Sequence, residues 1–250
     1  MITFDSVSKS FVIDVRGRKH IALRELSFQV EAGECLGLIG ANGAGKSTSI
    51  RLLMDFIRPD SGRIELFGQA RHQPQLRTRI GYLPDVAMFP PSLTVLDLLR
   101  FTARTCGISS MALAQRSQEL LTMLDLWEVR RRPLRKFSKG MQQRANFAVA
   151  LVNDPELLIL DEPMSGLDPI GREKISTLIS RLKQQGKTIL FCSHILYDVD
   201  RLVDNVLLLD QGRRLFFGPP AELVREEVAQ NLSGAFVSRI NRVRQEEAHV

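Results

Sequence analysis

The sequence predicts an α/β chain: a mostly parallel sheet around a phosphate-binding loop, an antiparallel β region before it, and a helical subdomain inserted midway. Three observations carry this. Gly40-Ala41-Asn42-Gly43-Ala44-Gly45-Lys46-Ser47-Thr48 fits G-x-x-x-x-G-K-[ST], set between the apolar run Cys35 to Ile39 and a helix-like run from Thr48 to Ile57. A second buried-type strand, Leu157 to Leu160, ends in two acids, Asp161 and Glu162. Between them, Val95, Leu98, Leu99 and Phe101, then Leu113, Leu120, Leu121, Leu124 and Leu126, recur at helical spacing.

The elements follow in order. Short alternating runs (Ile2-Thr3-Phe4, Leu26-Ser27-Phe28-Gln29-Val30) predict antiparallel strands, with a hairpin loop at Arg16-Gly17-Arg18-Lys19 in the polar stretch Asp14 to His20. Arg58-Pro59-Asp60-Ser61-Gly62 reads as a turn, and Arg63 to Phe67 and Arg79 to Leu83 as strands. The helical insertion is expected at about 91–152. After Leu160 the α/β pattern resumes: a helix near Gly171 to Gln185, a strand Thr188 to Cys192, a helix near Tyr197 and a strand Val206 to Leu209. A hairpin at Gly212 leads to Phe216-Phe217, a helix follows Pro220, and residues 226–250 read as a short solvated helical tail after a domain of residues 1–225.

A chain of 250 residues with 44% hydrophobic content can build one large α/β domain or a core with a smaller subdomain. The charge, 34 − 28 = +6, suits nucleic acid or an anionic membrane surface and is equally common in proteins that touch neither. Cys35, Cys106 and Cys192 lack metal-ligand spacing, and an odd, scattered set points to a reducing compartment. No basic-then-apolar leader and no apolar run of roughly 18 to 20 residues is expected, so work at a membrane would go through a partner.

The chemistry starts at the loop. Its glycines let successive N–H groups curl around a polyphosphate, the following helix presents its partially positive end, Lys46 reaches the β- and γ-phosphates, and the Ser47 hydroxyl suits Mg²⁺. In a chain with such a loop, Asp161 is a candidate to hold Mg²⁺ from its second sphere and Glu162 a candidate to polarise the attacking water; an exposed strand end explains the same acids without chemistry. Trp127 with Arg130-Arg131-Arg132 reads as a helix end with cations near its last carbonyls, or as a contact for phospholipid head groups.

Phe137-Ser138-Lys139-Gly140-Met141-Gln142-Gln143-Arg144, Ser165-Gly166-Leu167-Asp168 and Ser193-His194 complete a set. With the loop and the strand ending in Asp161-Glu162, they stand in the order found in the ATP-binding subunit of ABC transporters, which the chain resembles over about residues 1–225. The resemblance implies a P-loop NTPase core that binds ATP and Mg²⁺ along Gly40, Asn42, Gly43, Ala44, Gly45, Lys46, Ser47 and Thr48. It implies a head-to-tail homodimer, or a heterodimer with a similar ATPase subunit. Ser138 and the Gly140 amide then contact the γ-phosphate in trans, His194 contacts it in cis, and Asp168 crosses beside the partner's phosphate loop. Asp85, in Tyr82-Leu83-Pro84-Asp85, stands where the family places a Mg²⁺-touching glutamine, and a carboxylate ligates Mg²⁺ as well as an amide does. Phe11 stands where the family stacks an aromatic ring on adenine; it is either that ring or an ordinary sheet residue.

Two departures from the common pattern, Lys139 and Met141 in the signature and the acid at Asp85, resemble the exporter-type (ABC-2) branch. The implied function is ATP hydrolysis driving a separate integral membrane permease, from a peripheral position on the cytoplasmic face of the cell membrane, with no nucleic-acid partner. Val86 to Leu93, with Met88 and Phe89, is the expected permease contact. The rival reading is a soluble ABC-type ATPase of DNA repair or translation, for which no coiled-coil insertion, zinc module or second cassette is visible.

Overall fold

Period-two alternation builds the first sheet. In the computed structural model, which describes residues 1–12, 17–86 and 89–248, β1 (Ile2–Val12) pairs antiparallel with β2 (Lys19–Val30). Phe4 lies opposite Phe28, their rings stacked with centroids 4.5 Å apart. Of the expected hairpin loop, Arg16 falls outside the described residues. Next come the buried strand β3 (Cys35–Gly40), helix α1 (Lys46–Leu53), β4 (Ser61–Leu66) and the two-residue β5 (Gln69–Ala70), giving an antiparallel sheet ordered β2-β1-β4-β5.

Helix α1 stops at Leu53, short of the expected Ile57, because the backbone closes on itself there. Asp55 is left-handed at φ 58°, its N–H reaches Leu52 O, and the Phe56 N–H reaches Arg51 O. Arg71 reinforces the stop, donating through Nε to Leu52 O at 2.6 Å and pairing with Asp55 at 2.9 Å.

The chain divides into two units, Met1–Gln73 with Thr188–Val250, and Pro74–Lys187. The second unit holds β6 (Ile80–Leu83), α2 (Val95–Thr105), α3 (Ser110–Met123), α4 (Lys139–Leu151), β7 (Leu157–Asp161) and α5 (Pro169–Gln184). Strands β6 and β7 run parallel, Ile80 beside Leu157 and Leu83 beside Leu160, and Arg79 clamps Glu156 at their start with bonds of 2.6 and 2.7 Å. Helix α2 opens with a capping box in which the Thr94 hydroxyl and N–H hold the Asp97 carboxyl below its ordinary range. Helix α4 buries Gln143 and the consecutive run Ala145 to Ala148, so it is covered round most of its circumference there, and it packs on β6.

The first unit is completed by β8 (Thr188–Cys192), α6 (Leu196–Leu202), β9 (Asn205–Asp210), β10 (Arg213–Gly218), α7 (Pro220–Glu226) and α8 (Leu232–Ala248). Within this unit β3 lies between β8 and β9, parallel to both, and β10 is antiparallel to β9. Their unbroken apolar runs suit strands covered on both faces.

Helix α8 is docked, where a solvated tail was expected. Leu232, Ala235, Arg239 and Ile240 are buried. The Arg239 guanidinium pairs with Glu226 and Glu227 and lies 5.6 Å from the Phe216 ring centroid, and Arg244 holds Asp210 at 3.0 and 2.9 Å. The inward stripe carries an arginine where an apolar residue would have announced it. Among the described residues no helix is long and apolar enough to cross a membrane.

Candidate nucleotide site

In the first unit, β3 ends at Gly40 and the chain turns through residues 41–45 into α1. Gly45, at the N-cap position with φ 111°, brings no side-chain acceptor, so the first-turn N–H groups of α1 have no side-chain cap and are suited to an anion. No other residue fits there, since a Cβ on Gly45 would meet Ala22 O and Leu23 Cδ2 at 2.7 Å. A Cβ on Gly40 would meet Leu209 O at 2.4 Å, which seats the start of the loop directly against β9. Lys46 Nζ donates to Gly40 O at 2.6 Å and Ala41 O at 3.1 Å, holding its charge at the loop. Asn42, Gly43 and Ser47 are exposed, Thr48 is half-buried, and buried Ala44 accepts from the Gly212 N–H at 3.0 Å. The β9–β10 turn thus braces the phosphate loop, a role that no motif around Gly212 announces.

His194 is exposed just beyond β8. Leu38 pairs with Cys192 in parallel, so His194 leaves the sheet at the same strand ends as the loop, where ligands of open parallel sheets bind. Phe11 sits in β1 opposite His20, with Lys9 Nζ 5.5 Å from its ring centroid.

In the second unit, Asp161 closes β7 and is 9% exposed, and Glu162 follows at φ 50°, a left-handed backbone that a non-glycine residue adopts at a cost. Gln143, which sequence reasoning passed over as part of the signature, donates from Nε2 to Glu162 O at 3.3 Å and Pro163 O at 3.0 Å. One turn on, Asn146 Nδ2 donates to Pro84 O at 3.2 Å, beside exposed Asp85. One helix therefore holds the backbone at both acids. Val86 is 69% exposed and Phe89 half-buried; Met88 lies outside the described residues.

Ser138 is the N-cap of α4, accepting from the Met141 N–H at 3.2 Å, which leaves its own O–H to donate. Asp168 caps α5 and accepts from the Gly171 N–H at 2.8 Å. Ser138, Gly140 and Asp168 line one pocket of about 470 Å³, with Lys139 beside them and Asp125 bound to both Arg144 and Lys174. Two segments that the sequence separates by about thirty residues thus share one open face.

The candidate metal donors, Ser47, Asp85 and Asp161, are all oxygen donors, the type Mg²⁺ prefers. Among the described residues no three of His, Cys, Asp and Glu form a metal cage.

A strand, a glycine loop cut to fit its neighbours, and a helix lacking a side-chain cap define a P-loop nucleotide-binding protein. The model of the ABC transporter family matches residues 23–165. An uncharacterized ABC transporter ATP-binding protein of Synechocystis sp. is 42% identical over 208 residues, 81% of this chain; the chain spans 58% of that protein's length. The Nod factor export ATP-binding protein I of Cupriavidus metallidurans is 38% identical over 211 residues, covering 84% of this chain and 70% of that one. Among solved structures, an ATP-binding subunit of an ABC transporter superposes with a TM-score of 0.87 at 28% identity, covering 96% of this chain and 99% of that one. The chain belongs to the ABC transporter family.

Proposed function

We propose that this chain binds and hydrolyses MgATP as a dimer and powers a separate membrane permease in export. The loop at Gly40 to Thr48, ending on a helix with no side-chain cap, is the observation that carries the reading. Lys46 neutralises charge on the β- and γ-phosphates, and backbone N–H groups of the loop take the rest. When bound, Mg²⁺ supplies further charge neutralisation; Ser47 and Asp85 would be its direct protein donors, and Asp161 would hold it through a water of its shell. Glu162 accepts a proton from the attacking water and aligns it, on a backbone that Gln143 tethers. His194 contacts the γ-phosphate, and Phe11 offers its ring to the base. From the partner subunit, Ser138 and the Gly140 amide complete the cage and Asp168 crosses the interface; their shared open pocket supports a face made for a second cassette.

The cassette is assigned to residues 1–225, with its helical subdomain at about 91–152, and α8 to the tail of 226–250. Export rests on the S-K-G-M signature, the acid at Asp85 and the likeness to the Nod factor export protein. The permease contact is assigned to the segment after Asp85, and the working position to the cytoplasmic membrane face. Glu162→Gln keeps the shape of the side chain and removes the proton acceptor. ATP binding should persist while turnover falls by about 10² to 10⁴; turnover near the parent rate would remove Glu162 from the mechanism.

A further inference from the structure

We propose that the pocket bounded by α2, α3 and the segment 127–131 binds the phosphate head group of an anionic phospholipid. The pocket has a volume of about 460 Å³ and lies wholly within the second unit. Arg100, Arg104, Arg130 and Arg131 line it, and no acidic residue does. Asp97, outside the lining, offsets Arg100, which leaves an excess of positive charge in the wall for an anion to join, and the planar forks match phosphate oxygens.

Two of the four are held in place by the protein. Arg100 is anchored by Asp97 at 3.1 Å, and Arg130 stacks 3.8 Å from the Trp127 ring centroid while donating to Trp127 O at 2.5 Å. Arg104 and Arg131, both exposed, have no carboxylate partner among the described residues. The pocket therefore offers one cation stacked in place at Arg130, one offset by Asp97 at Arg100, and two with no carboxylate partner.

Its other walls decide for a lipid over a free phosphate. Trp127 and Ile108 set apolar surface beside the guanidinium groups, an arrangement that suits the glycerol and upper acyl carbons next to a head group. In the sequence just after the lining segment, Arg132, Arg135 and Lys136 are exposed as well, so the chain that follows the pocket's wall is basic, as attraction to an anionic membrane surface requires.

Trp127 is the sole tryptophan, so its emission reports on this pocket directly. The full chain is titrated with vesicles of phosphatidylglycerol in phosphatidylcholine, with phosphatidylcholine vesicles alone, and with glycerol 3-phosphate. A saturable change in emission and co-sedimentation are expected with the anionic vesicles only. R104E/R131E should weaken binding about tenfold or more and R104Q/R131Q by less, whereas R58E/R225E, with the same charge change as the first pair but in the other unit, should leave it within about twofold. Equal weakening by R104E/R131E and R58E/R225E would mean diffuse attraction and overturn the site. No change in Trp127 emission with any probe overturns it too. Saturation by glycerol 3-phosphate without vesicle binding would overturn the lipid and leave a site for soluble organic phosphates.

Discussion

Asp60 shows how a single side chain ties a turn to a strand. Lys9 Nζ reaches it at 2.8 Å, and the Ser10 hydroxyl and N–H reach it at 2.6 and 2.7 Å. The bond from Lys9, then those from Ser10, lower its pKa from 3.8 to about 2. A carboxyl depressed in the folded state adds stability above its unfolded value, and that contribution disappears as pH falls through the window from 3.8 to about 2. Lys9→Met should raise the Asp60 pKa part of the way back, because the Ser10 bonds remain, and an NMR titration of the carboxyl would read the shift. An unchanged midpoint would show that the Lys9 contact does not persist in solution.

At the scale of the element, the proposed mechanism makes α4 the link between recognition and chemistry. Its first residues carry Gly140 behind the Ser138 cap, and its buried residues include Gln143 and Asn146, which reach the backbones at Glu162 and Pro84. In that mechanism Gln143 is a positioning residue. Gln143→Leu keeps the volume roughly and removes both donors, so kcat should fall about tenfold with ATP affinity unchanged, at a stability cost of about 1 kcal/mol. If kcat holds and only the melting temperature moves, the tether is structural alone. Helix α8 makes a different prediction. Arg239→Met leaves Glu227, whose side chain is 5% exposed, with Arg242 as its remaining cation, and breaking such a pair costs about 2 to 4 kcal/mol. For a chain of this size that corresponds to a drop of roughly 5 to 15 °C in Tm. A Tm within about a degree of the parent would mean that α8 does not stabilise its unit.

For the whole molecule, the decisive question is whether one site is completed by a second copy. Lys46→Ala and Ser138→Arg each damage one half of the proposed cage. In a mixed dimer with trans sites, one site carries both lesions and the other carries none, so the mixture should recover ATPase activity that neither variant has alone. With cis sites every site carries a lesion, and no recovery is expected. Ser138→Arg protein hydrolysing ATP at the full rate would remove the dimer reading, since an arginine at the cap of α4 fills the pocket shared by Ser138, Gly140 and Asp168.

The sequence by itself determined what short-range chemistry controls. The phosphate loop was legible because a tight turn of this kind tolerates few residue types, and β7 because a strand covered on both faces is an unbroken apolar run up to the acids that end it. β8 matched its expected bounds, Thr188 to Cys192, for the same reason. Tertiary structure alone decided the rest. Gln143 reaches Glu162 across 19 residues and Asn146 reaches Pro84 across 62, so neither amide shows its purpose locally. Arg239 looks like a surface charge until Glu226 and Glu227 close on it, and α8 therefore reads as solvated although it is docked. The four arginines of the α2–α3 pocket are scattered between positions 100 and 131 and become one charged wall only when the helices pack. Backbone conformation is encoded by neighbours along the chain; polar groups are partnered across it, and a partner is known only once the chain has folded.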